Sequence, residues 1–381
     1  GDDFHIYSLC PLPGSSTTDS VLFQIPFQDG EVGFANSIQS FRGAKYVTVM
    51  AYAVDDGTTI IHELFHLFHF NINDQLKADP IDYLEESKAR ILLRAEYYAM
   101  RQALQLMDDN AAATQILSAI HDVFTFKKIR QQQYAAFHDL EIQIEMVEGL
   151  ANYTGFLLSG FPNKYKLAIK EIEGREAAPT YTRAFPYATG PAYGIFFDYL
   201  GLNWKTNLEG TYDFLQLYET LYLKDTLALS DAIIAAAKER NNYEAIEKEE
   251  KTKQQKLEQN IAFYKNLLVD APTLSASLTD NEYSISYDMY GTLVLKDIGL
   301  IYSSAKGSDM SGANFGSYEM KAKLGQNGLL GINNLETIHF PLPIRIEGNK
   351  VIGEFYTIDL NDGWEVVESG AKGDLKIIKK E

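Results

Sequence analysis

Thr59-Ile60-Ile61-His62-Glu63-Leu64-Phe65-His66-Leu67-Phe68-His69-Phe70 sets polar, metal-competent side chains inside a run that otherwise reads as buried core. His62 and His66 are four residues apart, so on a helix they stack on one face, where two imidazoles reach the same zinc ion. Glu63, one step round the helix, lies beside the open position of such an ion and can take a proton from water there. Between Asp56 and Asp74 it is the only formally charged side chain. A carboxylate in an apolar helix is costly unless it is paired, protonated or placed at a site. The helix is expected to start at Thr58 or Thr59 as N-cap and to end between Asn71 and Asn73. His69 follows His66 by three residues, but on a continuous helix it sits ~10 Å along the axis from His62, and no glycine turn brings it back. It is expected to pack or to support the ligands.

Upstream, Ala44 to Val54 is the strongest strand candidate, with β-branched and aromatic residues throughout, and its edge is placed to meet an extended peptide. Residues 4 to 34 alternate short apolar runs (Phe4 to Leu9, Val21 to Phe27) with Pro, Gly, Ser and Thr and read as strands and loops. Downstream, Asp82 to Met107 has the 3.6-residue period of a long amphipathic helix, followed by helix over Ala111 to His121 and again from Gln131 to Ser159. In the last of these, Glu148 is the only formal charge between Glu145 and Lys164. A zinc ion held by His62 and His66 would give it a partner, and two histidines with one glutamate and a water form a known catalytic zinc sphere. Gly149 is expected to let this helix approach the metal helix, and Asn152 to accept a hydrogen bond from a ligand imidazole. Glu145, a turn earlier, is expected to be solvated. Glu96 is the rival third ligand, with Arg90, Arg94 and Arg101 nearby as simpler ion-pair partners.

His62-Glu63-Leu64-Phe65-His66 followed by Glu148-Gly149-Leu150-Ala151-Asn152-Tyr153 resembles the gluzincin group of metallopeptidases, in which a glutamate on a later helix completes the zinc sphere. The resemblance covers about residues 44 to 205. It implies an α+β, zincin-like fold, peptide hydrolysis with Zn2+ as cofactor, His62, His66 and Glu148 as ligands, and Glu63 as general base. Several gluzincins place a Tyr-x-x-Gly segment at the start of a later helix, its hydroxyl donating to the oxyanion of the tetrahedral intermediate. Tyr187, in Tyr187-Ala188-Thr189-Gly190, matches that spacing, with Tyr193 as runner-up; Trp204 is expected to anchor the end of that helix. The chain departs from the group in the longer gap between His66 and Glu148, in Asn152 where a carboxylate is common, and in lacking the Gly-x-Met-Glu-Asn signature of aminopeptidases. The alternative is a non-enzymatic binding protein that keeps a zincin-like fold; against it stands the intact His62, Glu63 and His66.

The 381 residues are 46% hydrophobic and 12% aromatic, which is a folded, globular composition. A formal charge of -18 with no basic patch argues against a nucleic-acid partner. No run of about eighteen apolar residues is present, so no transmembrane segment is expected. Cys10 is the single cysteine, which excludes an intrachain disulfide and a cysteine-based zinc site. The expected partner is a peptide or protein substrate. Acidity, Gly1 in place of a methionine and the likeness to secreted peptidases give the expectation of a secreted, periplasmic or cell-envelope protein. Three parts are expected: residues 1–56, strand-rich and belonging to the catalytic domain; residues 57–270, the helical zinc-peptidase region; and residues 271–381, a β-rich domain or extension. In the last, strands are expected at Tyr283 to Tyr287, Thr292 to Leu295, Phe340 to Glu347, Val351 to Leu360, Trp364 to Val367 and Leu375 to Ile378, with long loops between 303 and 334. Lys238 to Gln259 mixes acids and bases over a thin apolar stripe and reads as a solvated helix with one buried edge.

Overall fold

The computed structural model describes residues 5–8, 16–17, 23–26, 35–41, 43–50, 53, 57–72, 79–178, 180–205, 213–278, 284–285, 292–302, 310–314, 318–322, 328–332, 336–370 and 372–380. Cys10, residues 27–34 and much of the 303–334 stretch lie outside them. The class is α+β, and the chain forms two compact units, Gly1–Glu250 and Lys251–Glu381.

In the first unit, β1 (His5–Ser8), β2 (Ser16–Thr17) and β3 (Phe23–Pro26) form one antiparallel sheet. β4 (Ser37–Phe41) and β5 (Ala44–Thr48) form a separate hairpin, Ser37 opposite Thr48 and Phe41 opposite Ala44. The strand expected over 44–54 is thus shorter. α1 (Gly57–Ile72) carries the histidines. It starts before Thr58 and Thr59, which lie in its first turn instead of capping it.

A 3-10 turn over Asp82–Glu85 leads into α2 (Ser87–Asp108), and α3 (Ala113–Gln133) returns antiparallel along it. Small side chains make this close packing possible, since Ala95, Ala99 and Ala103 recur every four residues on α2 and are fully buried. α3 is continuous where a break between His121 and Gln131 was expected. Its Asp122, Lys127 and Arg130 interrupt the apolar pattern, yet all three are buried and paired: Asp122 accepts from Arg240 and Asn241, while Lys127 and Arg130 donate to glutamates.

α4 (His138–Ile144), a π turn over Glu145–Gly149, and α5 (Leu150–Leu158) form one helical run. α6 (Lys164–Glu176), α7 (Phe185–Tyr199), α8 (Phe214–Leu217) and α9 (Asp231–Arg240) complete the helical layer, and α10 (Tyr243–Lys265) runs across the division between the units. α10 is mostly exposed; of its expected apolar stripe Ile246, Tyr264 and the following Leu268 are buried, Ile261 is partly buried and Leu257 is exposed. Trp204 donates to Asp198 near the end of α7 and packs on Phe197 and Tyr153, the anchoring role expected of it. No helix among the described residues is long and apolar enough to cross a membrane.

The second unit is β-rich. One sheet orders Trp364–Ser369, Asp374–Lys379, Thr273–Ser277, Thr337–Pro341, Leu329–Ile332, Gly299–Tyr302 and Thr292–Leu295 side by side. Its pairs are antiparallel except that Asp374–Lys379 runs parallel to Thr273–Ser277. The other sheet orders Arg345–Glu347, Lys350–Ile352, Tyr356–Leu360, Tyr318–Ala322, Met310–Asn314 and Ser284–Ile285. Strands therefore occur inside the 303–334 stretch read as loop. Its Gly and Ser residues obscured the period of two, but Leu329 and Leu330 are buried in this unit's core.

Candidate metal centre

Two close helix approaches, both made at glycines, build the site. A Cβ on Gly155 would stand 2.7 Å from the Thr58 carbonyl oxygen, so this glycine is what lets α5 lie against the first turn of α1. Gly149 meets α7 instead of the metal helix: a Cβ on Gly190 would fall 2.2 Å from the Gly149 Cα. The expectation that Gly149 admits α1 is corrected accordingly, because the π turn directs that position towards α7.

With the helices so placed, His62 Nε2 and His66 Nε2 are 2.9 Å apart, and Glu148 Oε2 lies 3.3 Å from the first and 3.4 Å from the second. The two rings are edge to face, at 87°. A tetrahedral zinc with bonds of ~2.05 Å spaces its ligand atoms by roughly 3.3 Å. These three are the group among the described residues whose donor atoms converge in this way. The donor set fits the ion in chemistry also, since Glu148 Oε2 is buried without a hydrogen-bond donor of good geometry. Burial alone would raise the Glu148 carboxyl, but the His62 and His66 rings and the Tyr187 hydroxyl outweigh it and hold the group well below the usual carboxylate range.

Glu96, the rival ligand, is elsewhere. It is fully buried between Arg130, whose Nη2 donates to it at 2.9 Å, and the Tyr193 hydroxyl. Both Glu96 and the runner-up Tyr193 are thereby occupied in the core. Arg90 and Arg94 pair with Glu250, and Arg94 and Arg101 with Glu176, so the expected neighbours of Glu96 bind other acids.

Glu63 is buried in the same cleft, where burial pushes its carboxyl up against the opposing pull of His62 and His66. Tyr187, in the first turn of α7, stacks on the His62 ring at 5.5 Å and 11° and turns its hydroxyl to Glu148. Burial and that carboxylate raise the phenol well above its ordinary value. The Arg175 guanidinium also packs on this ring, 4.5 Å from its centre. Asn152 does not accept from an imidazole. Its Nδ2 donates to the Tyr187 carbonyl oxygen at 2.6 Å, so it fixes the backbone from which Tyr187 projects.

A cleft of ≈ 320 Å³ is lined by His62, Glu63, His66, His69 and Glu148 together with Ser37 and Ile38 of β4. Past Tyr187 and Asn36 it meets a second cavity of ≈ 780 Å³ that reaches Thr58, Lys170 and Arg175. His69 is buried, as expected, and its Nε2 has no hydrogen-bond partner among the described residues. The share of β4 and of Arg175 in the cleft has no sign in the sequence beyond the four-residue spacing of Arg175 from Glu171, with which it pairs.

Glu145 is not solvated. It is fully buried, and Lys127 Nζ donates to its two oxygens at 2.9 and 2.8 Å. No family model, no curated protein and no solved structure matches this chain.

Proposed function

We propose that the chain is a zinc-dependent peptidase of gluzincin type, with a zincin-like catalytic region in its first unit. The observation that carries this reading is the convergence of His62 Nε2, His66 Nε2 and Glu148 Oε2 in a cleft that also holds the buried carboxyl of Glu63. His62, His66 and Glu148 would hold the ion, which when bound supplies a Lewis acid and lowers the pKa of water toward neutrality.

Glu63 accepts the proton of the attacking water and passes it to the leaving amine, a role suited to a carboxyl that burial has made more basic. The Tyr187 hydroxyl, beside Glu148, is placed to donate to the oxygen that gains charge as the peptide carbonyl becomes tetrahedral. Arg175 and His62 both pack on that ring. β4, paired with β5 along one edge, offers main-chain groups at Ser37 and Ile38 to an extended peptide along the other.

The test is hydrolysis of casein and of a quenched fluorescent peptide library by the zinc-loaded chain and by Glu63→Gln. Cleavage by the wild type, lost in a variant of equal zinc content, supports the reading. A wild type that holds zinc and cleaves neither points to the non-enzymatic binding protein instead.

A further inference from the structure

Six side chains of the first unit form a buried polar cluster beside the candidate metal centre. Glu96, Glu141 and Glu145 are each at most 1% exposed, and so are Lys127 and Arg130. Lys127 Nζ donates to both Glu145 oxygens and, at 3.1 Å, to Glu141. Arg130 joins Glu141, at 2.6 Å, to Glu96, at 2.9 Å, and Thr189 of α7 donates to Glu145 at 3.2 Å.

Glu141, Glu145 and Glu148 occupy positions i, i+4 and i+7 of one helical run. In an unbroken α-helix, at ~100° per residue, they would fall within ~60° of one another and all three would face Lys127. The chain does otherwise. Glu145–Gly149 is a π turn, closed by the Leu150 N–H bonding to the Glu145 carbonyl oxygen. Each step of the wider turn rotates the chain through less than an α-helical step, so Glu148 swings away from the two earlier glutamates and reaches His62 and His66.

The turn is held from two sides. Lys127 grips its first residue, Glu145, and Gly149 at its other end is pressed on Gly190 of α7. We infer that Lys127 and Glu145 are positioning residues for Glu148: the buried hydrogen bonds from Lys127 to the residue 145 side chain keep the π turn open and so deliver the Glu148 carboxylate to the metal. This rests on the ligand role given to Glu148 under the proposed function.

The experiment compares the full chain with Lys127→Met/Glu145→Met and with Glu145→Gln. The double variant removes one cation and one acid, so the cluster keeps its charge balance: three acids against two cations become two against one. Replacing a buried pair by apolar residues of similar volume generally preserves folding. Glu145→Gln keeps an oxygen that accepts from Lys127. Zinc affinity is read by competition with a chromogenic chelator, and amide exchange over residues 146–150 is read in the metal-free proteins.

The double variant is expected to bind zinc at least about tenfold more weakly, in the range found when a supporting partner of a metal ligand is lost. Its 146–150 amides exchange faster, while Glu145→Gln stays close to wild type in both. Unchanged zinc affinity in a folded double variant overturns the inference, and so does unchanged exchange. If the wild type itself binds no zinc, the reading of Glu148 as a ligand falls, and exchange alone decides whether Lys127 and Glu145 hold the turn.

Discussion

Glu145 and Glu148 stand three residues apart on one helical run and are treated in opposite ways. Glu145, fully buried, has both oxygens on Lys127, and its neighbour Glu141 is bound by Lys127, Arg130 and the Tyr83 hydroxyl. Among the described residues no Lys or Arg pairs with Glu148. Its Oε2 faces two imidazole nitrogens at 3.3 and 3.4 Å and receives no well-formed hydrogen bond among the described residues. Glu141 and Glu145 are thus compensated by cations, whereas Glu148 is set against the two imidazoles and the Tyr187 hydroxyl. Under the proposed function the first arrangement is structural and the second is the ligand set for zinc.

The difference is sharpest when one partner is taken away. Lys127→Met should destabilise the fold by about 3–5 kcal/mol, the cost of leaving buried carboxylates without their cation, as measured by urea unfolding. Glu63→Gln, on the other side of the comparison, should leave urea unfolding nearly unchanged and keep zinc, while hydrolysis falls roughly 100-fold or more. Gly190→Ala should cost about 1–3 kcal/mol in the same unfolding measurement, because its Cβ would lie 2.2 Å from Gly149 Cα and force α7 off the π turn.

Acidity separates the two glutamates of the cluster itself. Burial, with Glu141 adding and Lys127 opposing, pushes the Glu145 carboxyl up to about 7. Its folded value lies above its unfolded one, so its stabilisation is full below its ordinary value of 4.5 and is lost as pH rises through about 7. Glu141 behaves in the opposite sense. Although burial opposes it, Arg130 and Lys127 bring it down to about 2, so its contribution is present above 4.5 and is lost as pH falls toward 2. Glu145 should therefore add a decline to the unfolding midpoints of the metal-free wild type from pH 5 to 7, against which the buried, lowered His69, His121 and His339 act, and Glu145→Gln should remove that decline. An equal slope in both would remove Glu145 as its source.

The elements read most directly from sequence are those whose signal is local. His62 and His66 declare themselves by a four-residue spacing, and Glu148 by being a lone charge in an apolar stretch; the structure brings the three together. Glu145 was misread for a physical reason. Its partner Lys127 lies 18 residues upstream on another helix, and nothing in either segment marks the pairing. The same holds for α3, where buried charges looked like a break, and for Asn152, whose bond to the Tyr187 backbone joins residues 35 apart. Gly149 and Gly155 are equivalent in sequence terms, and only the π turn between Glu145 and Gly149 decides which of them faces the metal helix. In the second unit, Gly and Ser residues hid strands whose partners are distant in the chain.

The most direct test of the central claim is zinc per chain, by elemental analysis after exhaustive dialysis, on wild type and Glu148→Gln in parallel. The account predicts about one zinc per wild-type chain and a sharp loss in the variant, with both proteins folded. Zinc retained equally in both, or absent from a folded wild type, would contradict it.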